Sequence, residues 1–308
     1  MLAKLYGPDV ASDPMVIALV TGSAFAFGTS IGSFLNVCVA RLPIMSLVSQ
    51  YKSGDEAVRR EIVESLDEDV DTARDMMTQM VEARLGLAKP RSHCPNCRKP
   101  IAWYDNIPLA SWILLGARCR HCRERISPVY PAVELLSGLA LALLVWHFGL
   151  VVGPIYFAIY AALLVVTGVD LAIYEIPDEI VLPGIPLGLL ASFVLPVSLR
   201  DAAIGALVGG ALPFLIAKGY LLVTKREGMG FGDVKLLAMI GAFFGWQGVI
   251  VVLLVASAVG SVVGLAWILA TRREARSLIP FGPFLSLGAM VYMLAGPQLV
   301  GWYTGSFG

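Results

Sequence analysis

Residues 135–169 read LLSGLALALLVWHFGLVVGPIYFAIYAALLVVTGV, 35 residues without one charged side chain. About 20 apolar residues suffice to span a bilayer as a helix. The run is therefore too long for one span, and Gly149, Gly153 and Pro154 near its middle predict a helical hairpin. The same pattern recurs along the chain. Charge-free runs cover 14–40, 180–199, 202–217, 236–271 and 277–308, and in 236–271 Gly245 and Gly248 flank Trp246 as a second hairpin turn. The spacing predicts an all-α polytopic membrane protein with about eight transmembrane helices, near 15–40, 132–149, 154–172, 180–198, 202–223, 232–246, 249–270 and 280–302. Composition agrees: 57% of the 308 residues are hydrophobic and 15% charged, against about 25% charged in an ordinary soluble domain. A simple soluble enzyme and a disordered chain are both excluded. Lys+Arg and Asp+Glu balance at 23 each, which gives no electrostatic footprint for a nucleic acid.

Residues 41–130 hold 26 of the 46 charged residues and 14 of the Lys and Arg. The excess of positive charge beside the spans predicts that this loop is cytoplasmic. Alternation over eight spans then puts Lys225 and Arg226, and Arg272, Arg273 and Arg276, on the same side. Lys4, Arg200 and both termini lie outside. The expected domains are a first transmembrane helix (1–43), a small cytoplasmic zinc-binding domain inserted between helices 1 and 2 (44–130), and a membrane domain (131–308). The apolar stretch of the first helix is too long, and its positive charges too late, for a cleaved secretory signal. Small residues four apart (Gly28 and Gly32, Gly205 and Gly209, Gly241 and Gly245, Gly260 and Gly264) are read as helix-packing positions. Residues 54–86 read as one or two solvated helices. No soluble-type repeat is evident.

Cys94-Pro-Asn-Cys97 and Cys119-Arg-His-Cys122 are two Cys-x-x-Cys pairs 21 residues apart. Such pairs place four thiolates around Zn²⁺, and a reducing cytoplasmic side argues against disulfides. Cys94, Cys97, Cys119 and Cys122 are thus expected to hold a structural zinc, with no open position for catalysis. His93 and His121 adjoin the pairs and read as solvated; Cys38 reads as a small apolar filler.

Ionisable groups inside spans are costly and mark function. Asp170 ends the third predicted helix and Asp233 opens the sixth, in Gly228-Met-Gly230-Phe-Gly232-Asp233-Val-Lys235. Both fall at the cytoplasmic boundary. Two converging carboxyls share one proton, so that one can deprotonate water while the other protonates a carbonyl oxygen. Gly230 and Gly232 would let an extended backbone approach. Asp233, at a helix N-terminus, is expected to be the more acidic member. Glu175, Asp178 and Glu179 read as loop charges, and Lys235 as a snorkelling anchor or a partner of Asp233. A proton-coupled transporter using the two aspartates and a non-enzymatic zinc-bearing secretion scaffold are the competing readings.

Gly32-Ser-Phe-Leu-Asn36-Val with Arg41-Leu-Pro43, the two cysteine pairs, Trp103-Tyr-Asp-Asn-Ile-Pro108, Tyr130-Pro-Ala-Val-Glu134, Asp170 with Ile176-Pro-Asp178, and Gly230-Phe-Gly232-Asp233-Val-Lys235 together resemble the bacterial prepilin peptidases, in the family's order. The resemblance implies an inner-membrane aspartic endopeptidase of the Gly-x-Gly-Asp type. It would cut the basic leader of type IV prepilins and type II secretion pseudopilins after a glycine at the cytoplasmic face. It also implies methylation of the new amino terminus with S-adenosylmethionine. By position, Asp170 and Asp233 would be catalytic, supported by Gly230, Gly232 and Lys235. The four cysteines match the family's zinc ligands.

Overall fold

A computed structural model describes residues 13–65, 70–82, 86–88, 91–225, 230–271 and 280–305. Lys4, Arg226, Arg272, Arg273 and Arg276, on which part of the predicted orientation rests, lie outside the described residues, as does Gly228 of the Asp233 motif. Among the described residues the chain is helical, with two isolated bridges, His93 with Pro100 and Arg118 with Arg125. Five helices are long and apolar enough to cross a membrane. The chain divides into two compact units, Leu2–Trp146 and His147–Gly308.

In the first unit, α1 spans Pro14–Ser53. Asp13 caps it by accepting the Met15 N–H at 2.8 Å, and Pro14 sits where no helical N–H is needed. The predicted end near residue 40 is overrun: the helix continues through Pro43 to a cap at Gly54. A proline inside a helix removes one hydrogen bond, and here neighbouring segments hold the chain on course. Arg41 donates to the carbonyls of Gly86 and Leu87 at 2.8 and 3.0 Å. The acidic stretch forms α2 (Glu56–Ser65) and α3 (Val70–Glu82). They are not solvated all round, because Ile62, Val63, Ala73 and Met77 are buried. A five-residue α4 (Ala110–Leu114) precedes α5 (Val129–Ile173). The small residues of α1 do what their spacing implies. A Cβ on Gly28 would stand 2.6 Å from the Ser137 carbonyl oxygen, and one on Gly32 2.8 Å from Ser137 Cβ. Helix backbones that close require glycine.

The second unit holds the rest of α5, with α6 (Asp178–Ala191), α7 (Leu199–Thr224), α8 (Phe231–Thr271) and α9 (Gly282–Gly305). Non-helical torsions occur at Gly149 (φ 81°, ψ 178°) and Gly245 (φ 74°, ψ 177°), at the sites expected to turn. This region of torsion space is essentially reserved for glycine. Gly241 and Val249 lie eight residues apart, about 12 Å of rise in a straight helix; yet a Cβ on Gly241 would meet Val249 Cγ2 at 2.9 Å, so α8 folds back at Gly245. Its first half runs beside α6, with Gly184 against Met239 and Gly188 against Ala242, and antiparallel to α7, where Gly205 backs onto Gly241 and Gly209 onto Leu237. Its second half packs on α9 through Gly288 and Val252. Leu163, Val166, Leu236, Leu237, Ile240 and Leu285 form the fully buried centre. The predicted helix at 180–198 is shorter than expected. α6 ends at Ala191, where Ser192 Oγ bonds the Leu189 carbonyl at 2.6 Å, although apolar residues continue to Val197.

Candidate active site and cysteine cluster

Both aspartates lie at the same end of the second unit. Asp170 sits in the last turn of α5, which stops where Tyr174 takes a left-handed conformation (φ 58°). Its side chain is buried, 5% exposed, and Oδ2 accepts the backbone N–H of Gly282 at 2.9 Å. Asp233 lies in the first turn of α8, 9% exposed, and accepts the Gly230 N–H. The two carboxyls are within electrostatic reach of one another. Each is served by a backbone N–H at a helix start, Gly282 for α9 and Gly230 before α8. The helix-end argument that set Asp233 apart therefore applies to both and does not separate them.

The two glycines before Asp233 have different neighbours. A Cβ on Gly230 would stand 3.6 Å from Asp233 Oδ2, with no nearer group. One on Gly232 would press on Ile176 Cβ at 3.0 Å, in the loop that follows Asp170. The same loop is held a second time: Lys235 Nζ bonds Asp178 Oδ1 and lies 5.2 Å from the Phe231 ring centre. Lys235 is therefore partnered by Asp178, not Asp233, and Asp178 is no ordinary loop charge.

In the first unit the four cysteines converge, every sulfur within 4.8 Å of the others. A tetrahedral zinc with Zn–S bonds of about 2.3 Å requires sulfurs about 3.8 Å apart. Cys94 Sγ and Cys122 Sγ stand at 3.8 Å, and no disulfide forms. The donor set and its spacing fit zinc. Local folding explains the convergence. In each pair the first cysteine's carbonyl accepts an N–H four residues on (Arg98 to Cys94, Arg123 to Cys119), and its N–H donates five residues on (to Lys99 and to Glu124). Arg98 and Arg123 both adopt positive φ, 55° and 61°. The knuckles are thus conformational copies offset by 25 residues, a repeat legible in hindsight as Cys-x-x-Cys-Arg-x-x-Ile, Cys94 to Ile101 and Cys119 to Ile126. Backbone N–H groups of Cys122 and His121 point at the Cys119 sulfur and hold its thiol down at about 6, favouring the thiolate a metal needs. His93 and His121 are not among the clustered donors.

Residues 26–148 match the family model described as Bacterial Peptidase A24 N-terminal domain, and residues 157–265 match the Type IV leader peptidase family. A prepilin leader peptidase/N-methyltransferase of Aeromonas hydrophila is 39% identical over 292 residues, covering 92% of this chain and 93% of the relative. Those of Stutzerimonas stutzeri and Pseudomonas aeruginosa are 37% and 35% identical over 297 residues, 96% of each chain. The chain belongs to the type IV leader peptidase family. No solved structure matches it.

This leader peptidase is accordingly an enzyme, and the transporter and scaffold readings give way. Gly282 and the Asp178–Lys235 pair are contacts of this chain that sequence reasoning missed. For Gly282 a signal existed: Pro280-Phe-Gly282-Pro283 places a glycine between prolines at a helix start. For Asp178 the Ile176-Pro-Asp178 motif marked the residue but not its partner, which is 57 residues away.

Proposed function

We propose that this chain is a membrane aspartic endopeptidase that removes the leader of type IV prepilins and type II secretion pseudopilins after a glycine, with Asp170 and Asp233 as the catalytic pair. The observation that carries the reading is that two buried carboxyls, 63 residues apart in sequence, lie within electrostatic reach of one another at one end of one helical unit. Neighbouring carboxylates cannot both ionise cheaply, so the pair titrates as a unit. The ionised member takes a proton from water as the oxygen attacks the peptide carbonyl, and the protonated member donates to the carbonyl oxygen. The N–H groups of Gly282 and Gly230 orient the two side chains, and the open space at Gly230 admits a substrate backbone.

Eight spans are consistent with α1, the two parts of α5, α6, the two parts of α8, α7 and α9. With residues 44–130 cytoplasmic and both termini outside, Asp170 and Asp233 lie at the cytoplasmic face of the inner membrane. A prepilin, itself a membrane helix with a basic leader, reaches that depth by lateral diffusion. The second activity is N-methylation of the new amino terminus, with S-adenosylmethionine supplying the methyl group; the relatives, named as N-methyltransferases as well as leader peptidases, support it. Cys94, Cys97, Cys119 and Cys122 would hold a structural zinc that fixes the knuckle segment, which has little apolar core of its own.

Reconstituted protein and a model prepilin test the reading. Asp170→Asn and Asp233→Asn should each lower cleavage by at least about 10²-fold with normal folding; full processing by either variant defeats it. Transfer of label from S-adenosylmethionine to a mature pilin tests the methylation.

A further inference from the structure

The knuckle segment carries an apolar surface to which the cleavage reading assigns no role. Within twelve residues, Leu114 is 86% exposed, Trp103 74% and Ile113 70%, and Tyr104 and Ile107 are also exposed. This is not a failure of the segment to fold. Trp112 Nε1 donates to the Ile126 carbonyl at 3.2 Å and Ser111 Oγ to the Tyr104 carbonyl at 3.0 Å, so the inward side chains have their partners. A group of large exposed apolar side chains on a small polar segment marks an interaction surface.

Its depth along α5 is fixed by one hydrogen bond. Leu109, at the start of α4, donates its N–H to Glu134 Oε2 at 2.8 Å. Glu134 is the last charged residue before the run that begins at Leu135, so it marks the edge of the hydrocarbon. It lies about 8 Å along α5 from Val129. A second helix puts this level no shallower: a Cβ on Gly32 of α1 would touch Glu134 Cα at 2.9 Å, and the charge-free run of α1 continues about 13 Å beyond Gly32 before it ends at Arg41. The exposed side chains thus hang at the lipid–water boundary, where tryptophan and tyrosine are preferred. The surrounding segment is basic. Residues 91–126 contain seven Lys and Arg against Asp105 and Glu124, and Arg98, Lys99, Arg118, Arg123 and Arg125 are exposed. Arg120 lies over the Tyr104 ring at 5.4 Å, placing a cation on one of these aromatics.

We propose that residues 103–114 form an interfacial anchor. Trp103, Tyr104, Ile107, Ile113 and Leu114 seat in the leaflet on the knuckle side, and the knuckle Arg and Lys side chains face anionic headgroups. The anchor does not depend on the cleavage reading.

The test uses the full chain in nanodiscs of phosphatidylethanolamine and phosphatidylglycerol, with a fluorescent unnatural amino acid at position 114. Metal content equal to that of the unsubstituted protein shows that the segment is folded. Lipids brominated in the acyl chains should quench most of the emission, and aqueous iodide should not. A probe at position 124 should behave in the opposite way. Quenching at position 114 by iodide and not by brominated lipid overturns the proposal. So does shielding from iodide that arises only when a prepilin is added, which would assign the surface to a protein partner. In phosphatidylcholine nanodiscs the bromolipid quenching should weaken; equal quenching there overturns the part played by headgroup charge.

Discussion

Gly282 shows how closely one atom is controlled at the carboxylate pair. A methyl group there would stand 2.6 Å from Asp170 Oδ2, so the side chain or the start of α9 must move. Displacing a reacting group by about 1 Å can cost on the order of 10²-fold in rate. Gly282→Ala is expected to lower prepilin cleavage by roughly that factor with metal content unchanged; near-normal cleavage would separate Gly282 from the reaction. The Asp178–Lys235 pair is partly exposed, 49% and 20%, so its contribution to stability is below about 1 kcal/mol. Its effect belongs to geometry, because it ties the loop after Asp170 to the helix that carries Asp233. In a double-mutant cycle on cleavage rate, Lys235→Met and Asp178→Asn should each slow cleavage, and the double variant should be no slower than the worse single one. Independent, additive losses would refute the coupling.

At the level of elements, glycine decides where helices approach and where they turn. A methyl at Gly205 would overlap the Gly241 carbonyl oxygen across the α7–α8 contact. Overpacking of this kind costs about 1–3 kcal/mol, and Gly205→Ala should lower the thermal unfolding midpoint accordingly. Gly245→Ala meets a different obstacle. Its φ of 74° with ψ of 177° is closed to a side chain, and about 1–3 kcal/mol of strain should appear as lost stability. The same scale shows what could be read in advance. The turns at Gly149 and Gly245 were legible because a charge-free run twice the length of a span must reverse, and glycine marks where. The end of α6 was not, because apolar residues continue past it, and hydropathy does not register where turns at 192–194 replace the helix. The overrun of α1 through Pro43 was equally hidden, since Arg41 finds its carbonyl partners 45 and 46 residues downstream.

Across the whole molecule, the membrane helices and the knuckle segment rest on different physics. The membrane helices bury apolar side chains and pack through glycine, whereas the knuckle segment is closed by its cysteines. Stripping the metal with a strong chelator should therefore raise amide exchange across residues 91–126 and leave the helices of the second unit protected; unchanged exchange in 91–126 would show that zinc is not what holds it. By itself the sequence determined the helical membrane class, the four thiols and the two acids, because span length, ligand spacing and the cost of charge in lipid are local properties of the chain. Tertiary structure alone decided that Gly282 donates to Asp170 and that Asp178 rather than Asp233 answers Lys235. Those are contacts between residues 57 to 112 positions apart, and no local pattern encodes which distant backbone group a buried carboxyl will meet.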